Sequence, residues 1–208
     1  MKISLDQVGK KFQRHWIFKD LNCIFSEKCS YAVLGANGSG KSTLLRIIAG
    51  MQSPSKGKVL HEHNNKIIET NQLYPFIAFS APGMEIVDEF TLREFLHFHF
   101  SFKKPLQGLS VNEIIDIIGL THAAEKYLDD FSSGMKQRVK LAQAIFSETP
   151  VLMLDEPCTN LDENGVQQYL SWMEQFAKQR LVIIASNDER EYAFCKEHIS
   201  LEAFRTVY

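Results

Sequence analysis

Three short runs of this chain are apolar without a break: Tyr31-Ala32-Val33-Leu34, Val151-Leu152-Met153-Leu154 and Leu181-Val182-Ile183-Ile184-Ala185. A strand with one wet face alternates apolar and polar residues, so unbroken runs predict strands covered on both faces, as in a parallel sheet. From Lys2 to Phe25 the pattern does alternate, which predicts short antiparallel strands about a turn at Arg14-His15. Weaker strands follow at Lys58-Val59-Leu60, Lys66-Ile67-Ile68 and Ile77-Ala78-Phe79, the first two joined by a turn at Asn64-Asn65. Elsewhere the period is helical. Ser42 to Ala49 reads as a helix closed by Gly50, and helices are also expected from Val139 to Phe146 and from Glu163 to Lys178. Between Asp88 and Tyr127, Leu92, Phe95 and Leu96, then Ile114, Ile115, Ile117 and Ile118, recur at helix spacing. The expected fold class is α/β, with a mostly parallel core, an antiparallel N-terminal part and an inserted helical part.

The loop between the first parallel strand and its helix carries the clearest chemistry. Gly35, Ala36, Asn37, Gly38, Ser39, Gly40, Lys41 and Ser42 fit G-x-x-x-x-G-K-[ST], the P-loop, in the strand–loop–helix setting its mechanism requires. Glycines let the backbone turn its N–H groups inward on a phosphate chain, and the positive helix end adds to that field. Lys41 can reach the β- and γ-phosphates, and the Ser42 hydroxyl, with Thr43 beside it, can complete the oxygen shell of Mg²⁺. A glycine-rich turn without a ligand does not require lysine and serine at these places. The implied ligand is a nucleoside triphosphate.

A second motif lies at the end of the Val151 run. Asp155 and Glu156 stand at the carboxyl end of a buried strand, where open α/β sheets bind ligands. Asp155 is placed to hold Mg²⁺ and Glu156 to orient or deprotonate an attacking water. One helix earlier comes Phe131-Ser132-Ser133-Gly134-Met135, a serine-glycine helix start.

With these motifs in this order, the chain resembles the ATP-binding cassette family, the nucleotide-binding subunits of ABC transporters, from about Lys2 to Leu201. Ser132 and Gly134 match the family's signature, usually Leu-Ser-Gly-Gly-Gln, and Thr159-Asn160-Leu161-Asp162 is similar to its D-loop. Phe12, 23 residues before Gly35, stands where the family places an aromatic that stacks on adenine. Thr91-Leu92-Arg93-Glu94 resembles the start of the helical subdomain, which gives one domain over 1–208 with about 88–130 inserted. The resemblance implies a P-loop NTPase core and ATP hydrolysis with Mg²⁺. It also implies head-to-tail pairing with a second such subunit, here a homodimer. The amides at Ser132, Ser133 and Gly134 then meet the partner's ATP, and an integral membrane permease follows the cycle.

Several positions depart from the family. Pro82, nine residues before Thr91, takes the place of a glutamine that contacts Mg²⁺ and water. Asn187 replaces a histidine at the γ-phosphate and keeps a donor without the charge. Ser133 and Met135 replace the signature's first glycine and its glutamine. The alternatives are a module that binds but hydrolyses weakly, or a soluble cassette protein unconnected with transport.

Composition narrows the setting. Lys plus Arg is 23 and Asp plus Glu is 25 in 208 residues, a net charge of −2 that gives nucleic acid no basic surface. Four scattered cysteines, Cys23, Cys29, Cys158 and Cys195, suit reduced thiols in a cytoplasmic protein. No run nears the ~18 apolar residues of a membrane span, and Asp6 and Lys10 interrupt any leader. The expected place is the cytoplasmic face of a membrane, reached through the partner. Phe90, Phe95, Phe98, Phe100 and Phe102 crowd one stretch, with His97 and His99 between them. They fit either a docking surface for a membrane partner's helix or a helix packed on Ile114 to Ile118.

Overall fold

The computed structural model describes residues 1–205; residues 206–208, part of the expected single domain, lie outside the described residues. Two sheets form the frame. In the first, β1 (Lys2–Phe12), β2 (His15–Phe25), β4 (Lys56–His63) and β5 (Lys66–Ile68) run in the order β2-β1-β4-β5. Each of its pairings is antiparallel. In the second, β3 (Ser30–Leu34), β6 (Ile77–Ser80), β7 (Val151–Asp155), β8 (Leu181–Ala185) and β9 (Glu197–Ser200) run parallel in the order β6-β7-β8-β3-β9.

The first hairpin turns one residue earlier than expected. Phe12 pairs with His15, so Gln13 and Arg14 form the turn and His15 belongs to the strand. Gln13 takes the left-handed conformation that a two-residue hairpin loop demands, with φ 53°. At the second hairpin Asn64 and Asn65 are both left-handed, with φ 51° and 59°, as the sequence suggested.

Burial explains the unbroken apolar runs. Every residue of β7 and β8 is buried. Leu152, Leu154, Val182 and Ile184 point into one core with α4 (Ser133–Ile145) and α5 (Glu163–Phe176). Val151, Met153, Leu181 and Ile183 point into the other core, shared with α1 (Lys41–Ile48) and the inner face of the antiparallel sheet through Ile3, Leu5 and Phe18. Helix α5 stops at Phe176, two residues short of the expected end. Lys178 lies beyond it and pairs with Glu174 at 3.3 Å.

Between β6 and α4 the chain makes α2 (Leu92–Phe102) and α3 (Val111–Ile117). Each starts with a capping box, Thr91 with Glu94 and Ser110 with Glu113, which satisfies amides that a helix start leaves open. The aromatic stretch divides by face. Phe95 and Leu96 are buried with Ile114, Ile115 and Ile118, whereas Phe98 is 49% and Phe102 62% exposed. Phe90, Phe98 and Phe102 form an edge-to-face ladder, with centroids 5.4 and 5.1 Å apart. A short helix α6 (Glu189–Tyr192) follows β8.

Sheet order positions the site. Strand β8 lies between β3 and β7, and Ala185 is in register with both Val33 and Asp155. Three neighbouring strands therefore end side by side, delivering the P-loop, Asn187 and the acidic pair to one edge.

Candidate functional site

The loop from Gly35 to Lys41 closes tightly on its own backbone, with Ser39 N donating to Ala36 O at 3.0 Å. Gly40 has φ 100°, and a Cβ there would meet Ile17 Cγ2 at 2.4 Å, so the loop seats on β2 only with glycine at this place. Lys41 is 5% exposed. Its Nζ donates to Gly35 O at 2.8 Å and Ala36 O at 3.5 Å. Both of these bonds go to neutral carbonyls, so the stronger acceptors of an anion would compete for the ammonium. Gly38 opens to free space, Ser39 is fully buried, and Ser42 and Thr43 begin the helix half-buried.

Asp155 ends β7 at 3% exposure. Burial raises its pKa, and Glu156 adds to the rise; a hydrogen bond from Ser42 and the charges of Arg46 and Lys41 oppose it. Its Oδ1 is buried without a hydrogen-bond partner. A carboxylate oxygen left open beside a serine hydroxyl is the donor set a hard cation takes, so Asp155 and Ser42 fit Mg²⁺. Glu156 follows in a left-handed conformation, φ 44°, with its N–H donating to Ala185 O at 2.8 Å.

Asn187 is exposed, and its Nδ2 donates to Asn37 Oδ1 at 2.7 Å, joining the end of β8 to the P-loop. This amide is therefore already at the loop that would hold the phosphates. Losing a preorganised donor at a reacting oxygen costs about 10²-fold in turnover. Asn187→Ala is expected to lower Mg·ATP turnover by up to that amount and Asn187→His to raise it, in a steady-state phosphate-release assay. Wild-type turnover in Asn187→Ala removes Asn187 from the reaction.

At Pro82 the carbonyl accepts from Lys140 Nζ at 3.1 Å. A Cβ on the next residue, Gly83, would lie 3.9 Å from Arg46 Nη2. The loop thus presents backbone and a neighbouring guanidinium where the family usually has a glutamine. Phe12 is 49% exposed at the hairpin end that also carries Ile17, and Lys10 Nζ lies 5.4 Å from its ring centroid.

The signature residues gather elsewhere. Ser132 caps α4 by accepting from Met135 N at 3.3 Å, and Ser132, Ser133 and Gly134 line a separate hollow with Asn160, Leu161 and Asp162. A Cβ on Gly134 would come within 3.0 Å of Asn160 O. Asp162 caps α5 by accepting from Gly165 N at 2.8 Å and lies 3.8 Å from Arg138 Nη2. The residues around Lys41 and those around Ser132 therefore form two separate clusters on the chain.

Three residues near the acidic pair carry no motif in the sequence: Arg46, Gln137 and Glu191. Arg46 had a usable signal, since it follows Ser42 by one helical turn and shares its face. Nothing in the pattern separates Gln137 or Glu191 from ordinary surface polar residues, yet both are buried, at 3% and 4% exposure.

A parallel sheet with a P-loop, an acidic pair at the end of the next strand but one and an inserted helical part defines an α/β P-loop cassette. The ABC transporter family pattern matches residues 18–159. The chain belongs to the ABC transporter family, among its ATP-binding proteins. It is 33% identical over 196 residues to an uncharacterized ABC transporter ATP-binding protein, YxlF, of Bacillus subtilis, covering 89% of this chain and 62% of that one. It is 29% identical to a sulfate/thiosulfate import ATP-binding protein of Synechococcus elongatus, covering 91% of this chain and 56% of that one. The chain thus spans little more than half the length of these relatives. YybJ of Bacillus subtilis is closer in size, 29% identical over 96% of this chain and 91% of its own. Among solved structures, a putative ABC transporter ATP-binding protein from Pyrococcus furiosus superposes with TM-score 0.81 at 22% identity, over 99% of this chain and 100% of that one. A dimeric bacterial ABC transporter cassette, MJ0796, gives TM-score 0.80 at 20% identity, over 96% and 94% of the two chains. These likenesses fix the fold.

Proposed function

We propose that this chain is the ATP-hydrolysing subunit of an ABC transporter, a single domain that drives a membrane permease through ATP-dependent dimerisation. The observation that carries the reading is the convergence of Lys41, Asp155, Glu156 and Asn187 at the ends of three adjacent strands, with Ser132–Gly134 set apart in a second half-site. The relatives' names point the same way, and one similar cassette is described as a post-hydrolysis state bound to ADP and Pi.

In this reading the amides of Gly35–Thr43 and the Lys41 ammonium hold the phosphates, and Phe12 stacks on the adenine. Ser42 and Asp155 would hold Mg²⁺, which would supply positive charge beside the phosphates. Glu156 takes the proton of the attacking water, and Asn187 donates to the γ-phosphate oxygens. The start of α4 in a second copy, through Ser132, Ser133 and Gly134, completes the site from the other side, with Asp162 beside it. Both half-sites lie on one chain, so a homodimer forms two complete sites. The aromatic ladder Phe90, Phe98 and Phe102 suits an apolar helix of the permease. The protein then works at the cytoplasmic face of a membrane without nucleic acid. The described residues include no helix long and apolar enough to cross one.

A slower variant of the same reading rests on Pro82 and Asn187, which supply less charge and fewer donors to water and γ-phosphate than the usual pair. The test is turnover per mole of chain across a protein dilution series with saturating Mg·ATP. Specific activity is expected to rise with concentration as complete sites form. Activity independent of concentration, from a species that stays monomeric, overturns the two-chain site.

A further inference from the structure

Two buried polar side chains from different helices meet on one peptide group. Gln137, on α4, donates from Nε2 to Pro157 O at 2.6 Å. Glu191, on α6, accepts from Cys158 N at 2.6 Å through Oε1. The carbonyl of residue 157 and the N–H of residue 158 belong to the same peptide plane, so this plane is gripped from both sides. It lies one residue beyond Glu156, across the proline whose ring fixes φ.

We propose that Gln137 and Glu191 are positioning residues for Glu156, acting through the clamped Pro157–Cys158 peptide. The proposal rests on the reading of Glu156 as the base and adds what fixes its aim. Glu156 stands in a left-handed conformation that a non-glycine residue holds only when its surroundings enforce it. Behind it, its N–H is tied to Ala185 O at 2.8 Å; ahead of it, Thr159 N returns to its carbonyl at 3.2 Å. The clamp supplies the remaining constraint.

Packing alone does not account for Glu191. Burial raises its pKa, with Asp188 and Glu156 adding to the rise, while the Ser186 hydroxyl and the Cys158 amide oppose it. An apolar side chain of similar volume would cost less to bury there. Its own backbone is anchored too, since Tyr169 OH donates to Glu191 O at 2.9 Å. The two helices begin beside functional loops. Helix α4 starts at Ser132–Gly134, and α6 starts two residues after Asn187. A shift of either helix therefore reaches Glu156 through one peptide, which ties the carboxylate's aim to the state of both half-sites.

The test compares Gln137→Met, Glu191→Leu, Glu191→Gln and the double Gln137→Met/Glu191→Leu for kcat, Mg·ATP affinity and Tm. Gln137→Met keeps the volume and loses the donor; Glu191→Gln keeps an acceptor for Cys158 N. Misplacing a catalytic group by about 1 Å costs roughly 10²-fold, so Gln137→Met and Glu191→Leu are expected to lose kcat on that scale with affinity unchanged. Glu191→Gln restores most of kcat, and the double variant falls no further than the worse single one, because both act on one peptide. Wild-type kcat in Gln137→Met overturns the proposal, as does a loss in Glu191→Leu that Glu191→Gln fails to restore. A fall in binding capacity and Tm that accounts for the lost rate overturns it as well. Glu156→Gln keeps the two failures apart: if it turns over normally, the base reading has failed, and if it is inactive while the clamp variants are active, only the clamp has.

Discussion

Lys41→Ala is expected to lose tight Mg·ATP binding. The ammonium is 5% exposed and bonded to the carbonyls of Gly35 and Ala36, at 2.8 and 3.5 Å. A triphosphate offers it far stronger acceptors at the same place, so the bonds to neutral oxygens are exchanged for charge-assisted ones. Truncating one partner of such a buried charged contact costs about 2–5 kcal/mol, which is roughly 30- to 4,000-fold in affinity. The alanine also removes a tie within the loop, which makes a second measurement necessary. Titration with Mg·ATP should show the loss, while Tm without nucleotide should fall little, because Gly40 stays seated against Ile17 and Phe18. Unchanged affinity would falsify the phosphate-loop reading. A collapse of Tm without nucleotide would instead assign Lys41 to the fold.

Much of this site was legible because its signals are local. The P-loop is a run of eight residues whose glycines and lysine have few other uses, and the strands flanking β8 announce themselves by apolar runs that neither solvent nor turns interrupt. The breaks in legibility have identifiable physical causes. The sequence suggests a turn one residue later than the observed Gln13 and Arg14, because Gln13 is not a usual left-handed turn residue; the Phe12–His15 pairing imposes its conformation. The insertion of β8 between β3 and β7 is a long-range pairing that no window of sequence contains. Yet that order brings Asn187 within 2.7 Å of Asn37, across 150 residues of chain.

The aromatic stretch illustrates a different limit. Helix spacing puts Phe95 and Leu96 on one side and Phe98 and Phe102 on another, but periodicity alone does not say which side meets the core. Ile114, Ile115 and Ile118 cover the first pair, and the second remains as a surface ladder. Gln137 and Glu191 mark the same limit for polar groups. Each sits on a helix among residues of mixed character, and its burial comes wholly from the elements that fold over it.

Glu156→Gln is expected to keep Mg·ATP binding, lose turnover and hold two chains together. The substitution preserves volume, and the backbone here is set by contacts the side chain does not make: Glu156 N to Ala185 O at 2.8 Å and Thr159 N to Glu156 O at 3.2 Å. Its left-handed conformation, φ 44°, is as accessible to glutamine as to glutamate. What changes is chemistry, since an amide accepts a hydrogen bond from water but does not take its proton. Removing a general base lowers a rate by about 10²–10⁴. In the proposed reading the substitution leaves phosphate binding through Lys41 and cation binding through Ser42 and Asp155 untouched, so the nucleotide is expected to stay and the second half-site to stay engaged. Size-exclusion chromatography with Mg·ATP should show a dimer that disperses on removal of the nucleotide, alongside a phosphate-release rate near the detection limit. A variant that turns over like the wild type excludes Glu156 as the base. One that is inactive but monomeric with nucleotide bound keeps the base and removes the pairing, because an unhydrolysed ATP at Lys41 would then leave Ser132–Gly134 of a second chain without a reason to approach.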